Sequence, residues 1–407
     1  MPEKARIKVA VYLDADPGAG GQAHYALCLL DALRSHDDQF ETIAYCSWRF
    51  WQDVCDDKGI AHQRIVPLRW DWGAKALAKV IRHFSQSQLA PAWYRALFAR
   101  RVNKDSVDVC LFPVPTTLLT DVSIPTICAI HDLMYKYERE PYHEGKGRDY
   151  SYYDTLFQSD RYYETLYQSI LSRATVVVTD AELGEQQIRE SFSDIRAAIR
   201  ILPFCAPRST EAYDPQAEVS PAVRRAAQRP YLFYPAMHRP DKNHLALVRA
   251  LRILEDQGLT CHAVFSGGFG PVTERINAEI ERLRLRNSII MLPYVTDEEL
   301  CCLYAHAQAL VMPTYAGPTN IPPLEAFALG CPVLISNIYA MPWQVGDAGI
   351  LFDPDSPEEI AAAIREIWTC EPRRAELIEA GYRRSHELSF EVFAKGLTRI
   401  ICEAHAS

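Results

Sequence analysis

Residues 313–332 read PTYAGPTNIPPLEAFALGCP, and this stretch decides the fold of the C-terminal half of the chain. Two prolines, Pro322 and Pro323, open a predicted helix, because the first helical turn does not need the backbone N–H that proline lacks. A turn-rich loop precedes the helix, and a single carboxylate, Glu325, lies just inside it. The N–H groups of a first turn and the helix dipole together favour phosphate. On local pattern alone, a strand–loop–helix joint with a surface glutamate explains the stretch equally well.

The wider stretch resembles the signature of the retaining glycosyltransferases of family 4, whose two-domain arrangement is called GT-B. The resemblance rests on IPPLEA at residues 321–326, GCPV at 330–333 and GDAG at 346–349, and it continues through the segment 353–360. It is specific over about residues 290–365 and looser elsewhere. The first glutamate of the family's Glu-x7-Glu motif is missing, because Gly317 occupies its position.

The resemblance implies an α/β fold of GT-B type. Two Rossmann-like, doubly wound parallel-sheet domains would face each other across a cleft, and the C-terminal helix would cross back to the first domain. Apolar runs that alternate with helix-like segments independently indicate parallel sheets with crossover helices. A shift towards Pro, Ala, Arg and Glu at about 205–230 indicates the linker. We therefore expect an acceptor-binding domain at 1–205, joined by 389–407, and a nucleotide-sugar-binding domain at 206–388.

The apolar pattern also predicts the individual elements of both halves. Predicted strands are 7–13, 41–46, 107–112, 125–130, 174–179, 231–235, 261–266, 288–292, 309–312 and 332–335. Predicted helices are 22–34, 242–257, 272–284, 297–307, 322–329 and 389–405.

The composition is that of an ordinary globular protein, with 48% hydrophobic and 23% charged residues among 407. No run approaches the roughly 18 apolar residues of a membrane-spanning helix. A strand is predicted almost at the first residue, so we expect no signal peptide and a cytoplasmic protein. The twelve cysteines form no Cys-x-x-Cys pair and have no metal-ligand spacing. They are therefore expected to be mostly buried free thiols in a reducing compartment.

The net charge of −9 is unevenly distributed, because residues 64–104 contain nine basic residues and one acidic residue. Segment 74–84 places apolar side chains on one helical face and basic side chains largely elsewhere. Interleaved aromatic residues make this stretch suitable for an anionic membrane surface, which would make the protein peripheral on the inner face of the membrane. The alternative is a solvated helix that packs on its own domain. Nucleic acid is not expected as a partner, since the chain is acidic overall and has no recognition motif.

Transfer of a sugar requires groups that stabilise the departing diphosphate and hold the acceptor. Family 4 enzymes carry an arginine and a lysine after the first strand of the second domain. Lys242 matches the lysine position, and Arg239 is the substitute for an arginine that usually lies about five residues before the lysine. The alternative for Arg239 is a simple pairing with an acid, and for Lys242 an exposed position near a helix start.

The resemblance assigns further donor contacts in the second half. Glu325 would accept hydrogen bonds from the ribose hydroxyls of the nucleotide. Backbone donors for phosphate and sugar would come from Thr319, Asn320 and Ile321, and Tyr294 and Val295 would contact the nucleobase. The donor substrate would be a nucleotide-diphosphate sugar.

In the first half, Gly20 and Gly21 lie where a strand meets a helix, and glycines there let the backbone approach a ligand closely. The pair His131 and Asp132 follows a predicted strand, where family 4 members often carry His-Asp. Asp132 would orient the acceptor hydroxyl, and His131 would hydrogen-bond the donor sugar or a developing charge. The alternative is a helix-capping pair at a strand end.

Two other patterns are less specific. Asp14-Ala15-Asp16 and Asp353-Pro354-Asp355 spell the Asp-x-Asp of metal-dependent transferases, but both resemble turn aspartates, and we expect no metal and no cofactor. The tyrosine-rich segment 135–167 fits a surface for sugar rings. A protein interface or a partly ordered loop would explain it equally well.

The sequence therefore predicts a retaining, metal-independent glycosyltransferase that moves a hexose to a growing polysaccharide or lipid-linked glycan. The variant motif GPTNIPPLE resembles those of bacterial enzymes that build surface polysaccharides, which favours mannose or rhamnose as the donor sugar. The alternatives are a GT-B sugar-nucleotide epimerase and a catalytically inactive protein that binds a nucleotide sugar.

Overall fold

The computed structural model describes residues 6–13, 15, 20–64, 90–137 and 160–407, and these residues form two compact units. The first unit contains the described residues up to Tyr135, residues 160–203 and Phe390–Ser407. The second contains Lys136, Tyr137 and Phe204–Ser389. Some of the predictions concern residues outside these ranges. They are the predictions for Asp14, Asp16, the glycine loop up to residue 19, the basic segment 65–89 and the tyrosine-rich stretch 138–159.

The first unit is built on a parallel sheet of seven strands. Its strand order is β3-β2-β1-β4-β5-β6-β7, and every recorded pairing is parallel. Strands such as β4 and β6 are buried along their whole length, as expected where helices cover both faces of a parallel sheet. The strands are β1 (Ile7–Leu13), β2 (Phe40–Cys46), β3 (Ala61–Gln63), β4 (Val109–Phe112), β5 (Thr126–Ala129), β6 (Val176–Thr179) and β7 (Ala198–Ile201).

Helices of the first half are numbered in chain order among the described residues. They are α1 (Gly21–Arg34), α2 (Arg49–Lys58), α3 (Ala92–Lys104), α4 (Met134–Tyr137), α5 (Asp160–Leu171) and α6 (Glu182–Ser191), and Thr117–Asp121 forms a 3₁₀ turn.

The second unit is built on a parallel sheet of six strands in the order β10-β9-β8-β11-β12-β13. The strands are β8 (Leu232–Pro235), β9 (Ala263–Ser266), β10 (Ile289–Leu292), β11 (Ala309–Met312), β12 (Val333–Ser336) and β13 (Gly349–Phe352). The helices are α7 (Arg208–Glu211), α8 (Pro221–Ala226), α9 (His244–Asp256), α10 (Thr273–Arg282), α11 (Asp297–His306), α12 (Ile321–Ala328), α13 (Met341–Val345), α14 (Pro357–Thr369) and α15 (Glu371–Glu387). Short 3₁₀ turns cover Pro240–Lys242 and Gly346–Ala348.

The last helix, α16 (Phe390–His405), belongs to the first unit, where it packs against α1. The guanidinium of Arg200 on β7 donates hydrogen bonds to both carboxylate oxygens of Glu403 on α16. The distance from Nε of Arg200 to Oε2 of Glu403 is 2.9 Å. The predicted return of the C-terminal helix to the first domain is confirmed. Together with the two doubly wound parallel sheets, it confirms the predicted fold class.

The predicted strands and helices are present, with ends that agree to within two residues. Three strands, β3, β7 and β13, were not predicted. Each is short and only partly buried, so its apolar pattern in the sequence is weak. The stretch predicted as a linker contains the two short helices α7 and α8.

All twelve cysteines are free thiols, and nine of them are buried, as predicted. Among the described residues, the helices are too short or too polar to span a bilayer.

Candidate functional site

The strand order of the second unit marks one edge of its sheet as a ligand site. The chain moves outward from β8 through β9 to β10 on one side, and from β11 through β12 to β13 on the other. In open parallel sheets, ligands bind at the carboxyl ends of the strands where the order reverses. The loops that follow β8 and β11, residues 236–243 and 313–320, flank this point. We call them the β8 loop and the β11 loop.

Two cations of the β8 loop share one buried carboxylate. Oδ1 of Asp241 accepts a hydrogen bond from Nε of Arg239 at 2.9 Å, and Oδ2 lies 3.4 Å from Nζ of Lys242. The Asp241 side chain is 1% exposed, and the two cations are mostly buried. The structure thus brings Arg239 and Lys242 together. It also shows that Arg239 pairs with an acid, which the sequence left open.

The two loops are tied to each other through the backbone of Asp241. Its carbonyl oxygen accepts hydrogen bonds from the Tyr315 N–H at 2.7 Å and from Oγ1 of Thr314 at 3.1 Å. Nζ of Lys242 lies 3.5 Å from the same Thr314 oxygen. The hydroxyl of Tyr234, on β8, donates to the Lys242 carbonyl at 2.7 Å. The lysine is therefore held in position at the lip of the sheet.

The β11 loop leads directly into α12, which has proline at its second and third positions, as predicted. The Asn320 peptide just before the helix is held by the buried side chain of Gln344. The Asn320 N–H donates to Oε1 of Gln344 at 2.9 Å, and Nε2 of Gln344 donates to the Asn320 carbonyl at 2.6 Å. The backbone N–H of Asn320 is thus already used, so it is not a ready donor to phosphate. Thr319 is buried and Ile321 half-buried beside it.

Glu325 lies inside α12 with its side chain buried. Its Oε2 accepts a hydrogen bond from the hydroxyl of Tyr304 at 2.8 Å. Burial raises the pKa of Glu325 to about 7, and the Tyr304 hydrogen bond opposes this rise. The surface glutamate that the local pattern allowed is therefore excluded. Strongly shifted pKa values are common among the residues of functional sites.

Gly317 has a backbone conformation that suits glycine. Its φ is +92°, and a Cβ at this position would lie 2.9 Å from the Thr319 carbonyl oxygen and 3.1 Å from Oδ1 of Asn320. A glutamate at position 317 would therefore be both strained and crowded. The backbone path of the loop at position 317 therefore disfavours the glutamate that the family carries there.

Introducing the missing glutamate should consequently harm the protein. We expect Gly317→Glu to lower the free energy of unfolding by roughly 1–3 kcal/mol, without raising any transfer rate. Gly258→Glu is the matched control, since Gly258 also has a positive φ of +77° but has open space around its Cβ position. Chemical denaturation would measure both variants. Equal losses at the two positions would contradict the crowding argument.

Aromatic side chains lie at the ends of β9 and β10. The Tyr294 ring packs over Gly268, where a Cβ would come within 2.7 Å of the ring, and the residue is 66% exposed. Phe269, next to Gly268, is 60% exposed. Val295 is half-buried. These rings could stack on a nucleobase, and Phe269 is a candidate that the sequence analysis missed.

Two buried histidines of the second unit were also missed. The rings of His238 and His244 are 4.9 Å apart, and Nδ1 of His238 lies 3.0 Å from Oγ1 of Thr273. Burial lowers the pKa of both histidines, so both are neutral at pH 7. His238 belongs to the β8 loop, and His244 is the first residue of α9. Their position next to Arg239 and Lys242 in the sequence was the available signal.

The first unit holds the remaining predicted residues. Gly20, with φ of +51°, is the residue before α1, and Gly21 begins that helix, so both lie at the strand–helix joint as predicted. His131 follows β5 and its ring contacts Tyr25 edge to face at 4.4 Å. Burial lowers the pKa of His131 to about 4, so it is neutral at pH 7. Asp132 accepts a hydrogen bond from the Met134 N–H at 3.1 Å and so caps α4, which is the capping alternative.

Among the described residues, His, Cys, Asp and Glu form no group of three that could hold a metal ion. Asp353 accepts a hydrogen bond from the Asp355 N–H at 2.8 Å, which makes this pair a turn, as expected. Oδ1 of Asp355 also accepts from the Tyr315 hydroxyl at 2.6 Å.

Comparison with known proteins finds a family match in the second unit. Residues 216–384, which include the β8 loop, the β11 loop and Glu325, match the model of the family described as glycosyl transferases group 1. O-antigen chain mannosyltransferase B of Escherichia coli is 29% identical over 226 residues. The match covers 54% of this chain and 58% of that protein, so the chain spans less than two thirds of this relative's length.

Solved structures share the fold over nearly the whole chain. A glycosyltransferase from Rickettsia africae superposes with a TM-score of 0.71 at 14% identity, covering 98% of both chains. Anabaena HepE in complex with UDP-glucose superposes with a TM-score of 0.69 at 16% identity, covering 98% of this chain and all of that one. Identities this low establish the fold alone. The family match concerns the second unit, and the solved structures establish the GT-B fold of the chain.

Proposed function

We propose that this protein is a retaining, metal-independent glycosyltransferase. It moves a hexose from a nucleotide sugar to a growing polysaccharide or lipid-linked glycan at the cytoplasmic face of the membrane. The observation that carries the proposal is the cation pair Arg239 and Lys242, placed at the strand-order switch within the segment that matches group 1 glycosyl transferases. A diphosphate leaving group needs positive charge and backbone donors at such a place.

In the proposed reaction, the bond between the anomeric carbon and the diphosphate oxygen breaks. The acceptor hydroxyl oxygen bonds to the same face of that carbon, and its proton passes to the leaving phosphate. Arg239 and Lys242 stabilise the charge that develops on the diphosphate. Glu325 accepts hydrogen bonds from the ribose, and Tyr294 contacts the base. Neutral His131 donates to the sugar, and Asp132 orients the acceptor while it caps α4.

Mannose is the favoured donor sugar. The E. coli relative is named as a mannosyltransferase of the O-antigen chain. The loop around Gly317 lacks the carboxylate that family members direct to the donor sugar, so the selectivity of this chain must come from other groups of the loop. Rhamnose is the second candidate from the sequence motif.

A panel of nucleotide sugars, including GDP-mannose, UDP-glucose and dTDP-rhamnose, tests the proposal with and without glycan acceptors. Release of nucleotide that depends on the acceptor, with an α-linked product from an α-linked donor and full activity in EDTA, is the expected result. Nucleotide release without any acceptor would indicate an epimerase. Binding without turnover would indicate a binding protein, and either outcome would refute transfer.

The basic stretch 64–104 supports attachment to an anionic membrane surface. Its described part includes α3, which exposes Trp93, Arg100 and Lys104 to solvent. Aromatic and cationic side chains together suit the lipid headgroup region.

Neutralising Lys75, Lys79 and Arg82 together should weaken binding to phosphatidylserine-containing liposomes. Each basic residue near an anionic surface contributes roughly 1 kcal/mol, so we expect at least a ~10-fold loss in a sedimentation assay. The matched control neutralises Arg275, Arg284 and Arg286, three exposed residues of the second unit. If the first triple variant binds as well as the wild type, another surface or no surface is responsible.

A further inference from the structure

We propose that Asp241 is a positioning residue that holds both diphosphate-binding cations in place before the nucleotide arrives. This inference rests on the proposed function of the site. The Asp241 side chain is almost completely buried and faces the two cations with its two oxygens. Oδ1 accepts from Nε of Arg239 at 2.9 Å, and Oδ2 lies 3.4 Å from Nζ of Lys242.

The charges of the β8 loop require such a group. Two cations three residues apart repel each other, and each would turn towards solvent without a counter-charge. One carboxylate between them offsets the repulsion and leaves a net charge of about +1 on the group. That excess positive charge remains available to a diphosphate. Cations that are already oriented need little rearrangement when negative charge develops on the leaving group.

The backbone of Asp241 links this charge cluster to the start of α12. Its carbonyl oxygen is bound by Thr314 and by the Tyr315 N–H, both from the β11 loop. The position of the cations is therefore coupled to the loop that leads to Glu325. A change in the Asp241 side chain alone leaves this backbone link in place.

The Asp241 charge has opposite effects on binding and on turnover. A carboxylate near the diphosphate repels it, so the charge weakens ground-state binding of the nucleotide. Orientation of Arg239 and Lys242, in contrast, favours the transition state. Removing the charge should therefore leave nucleotide affinity unchanged or higher, and should slow transfer. A residue with a purely structural role would impair both together.

The variant Asp241→Asn keeps the shape of the side chain and removes its charge. We expect its Kd for UDP or GDP, whichever the wild type binds, to be equal or lower by calorimetry, and its kcat to be at least ~10-fold lower. Asp241→Glu keeps the charge and should recover part of kcat. Thermal unfolding verifies that each variant is folded.

The matched control is Glu279→Gln on α10. Glu279 is also shared by two cations, since it accepts from Nε of Arg249 at 2.9 Å and from Nε of Arg282 at 2.7 Å. The same chemical change there should leave kcat unaltered. An unchanged kcat in Asp241→Asn, or a higher Kd that accounts for the whole loss, would overturn the inference. If the wild type binds a nucleotide but transfers no sugar, the proposed function fails, and a raised Kd in Asp241→Asn would still refute the positioning role.

Discussion

Replacing Lys242 by alanine is expected to lower kcat/KM for sugar transfer at least ~10-fold. A charge-assisted contact to a phosphate oxygen is worth roughly 1.5–3 kcal/mol, which corresponds to a factor of about 10 to 150. Lys242 is well placed for such a contact. Its side chain is held at the lip of the sheet by Thr314 and Asp241, and it precedes α9, whose N-terminus also favours an anion.

Comparing the affinity for a nucleotide with the affinity for its nucleoside measures the contribution of the phosphate contact alone. Lys242→Ala should lose affinity for UDP or GDP and keep its affinity for the corresponding nucleoside, because the nucleoside has no phosphate for the lysine to contact. Calorimetric titration of both ligands measures the difference. Arg249→Ala is the control, since Arg249 lies in the same unit but pairs with Glu279. Equal losses for nucleotide and nucleoside, or no loss in either, would remove Lys242 from the diphosphate site.

The sequence was sufficient to predict those parts of the site that depend on local rules. The start of α12 is encoded by Pro322 and Pro323. Lys242 was assigned through the resemblance to family 4, whose motif is also a run of neighbouring residues. Parallel sheets follow from apolar runs that alternate with amphipathic helices. These features were predicted because they depend on residues that are neighbours in the chain.

Other parts of the site depend on residues that are distant in the chain. The Asp241 carbonyl meets Thr314, which lies 73 residues away, and Gln344 holds the Asn320 peptide from 24 residues away. A single sequence does not reveal such pairs, because many polar residues could occupy each position. The crowding at Gly317 also depends on the folded path of the loop. The missing glutamate was visible in the sequence, but its structural reason was not.

The affinity for nucleoside diphosphate is expected to rise about tenfold between pH 6 and pH 8 through the ionisation of Glu325. Burial raises the pKa of this carboxyl to about 7, and the ionised form accepts hydrogen bonds from the ribose hydroxyls more strongly than the protonated form, in which one oxygen carries a proton. At pH 6 about nine tenths of the carboxyl would be protonated. Calorimetric titration at several pH values measures the profile.

Two variants separate Glu325 from the titration of the nucleotide's own phosphate. Glu325→Gln should bind weakly at every pH and lose the carboxyl's share of the pH dependence. Tyr304→Phe removes the hydroxyl that lowers the Glu325 pKa, so its profile should shift to higher pH. If Glu325→Gln keeps the wild-type profile, another group is responsible.

The same pKa determines how stability changes with pH. An unfolded glutamate ionises at about 4.5, whereas folded Glu325 keeps its proton up to about 7. The unfolded state therefore binds fewer protons between these values, and the stability that this group contributes is complete below about pH 4.5 and is lost as the pH rises to about 7. The full difference is roughly 3 kcal/mol. Glu325→Gln should consequently be more stable than the wild type at pH 8 while it binds nucleotide less well, because a carboxylate retained for the ribose is costly to bury.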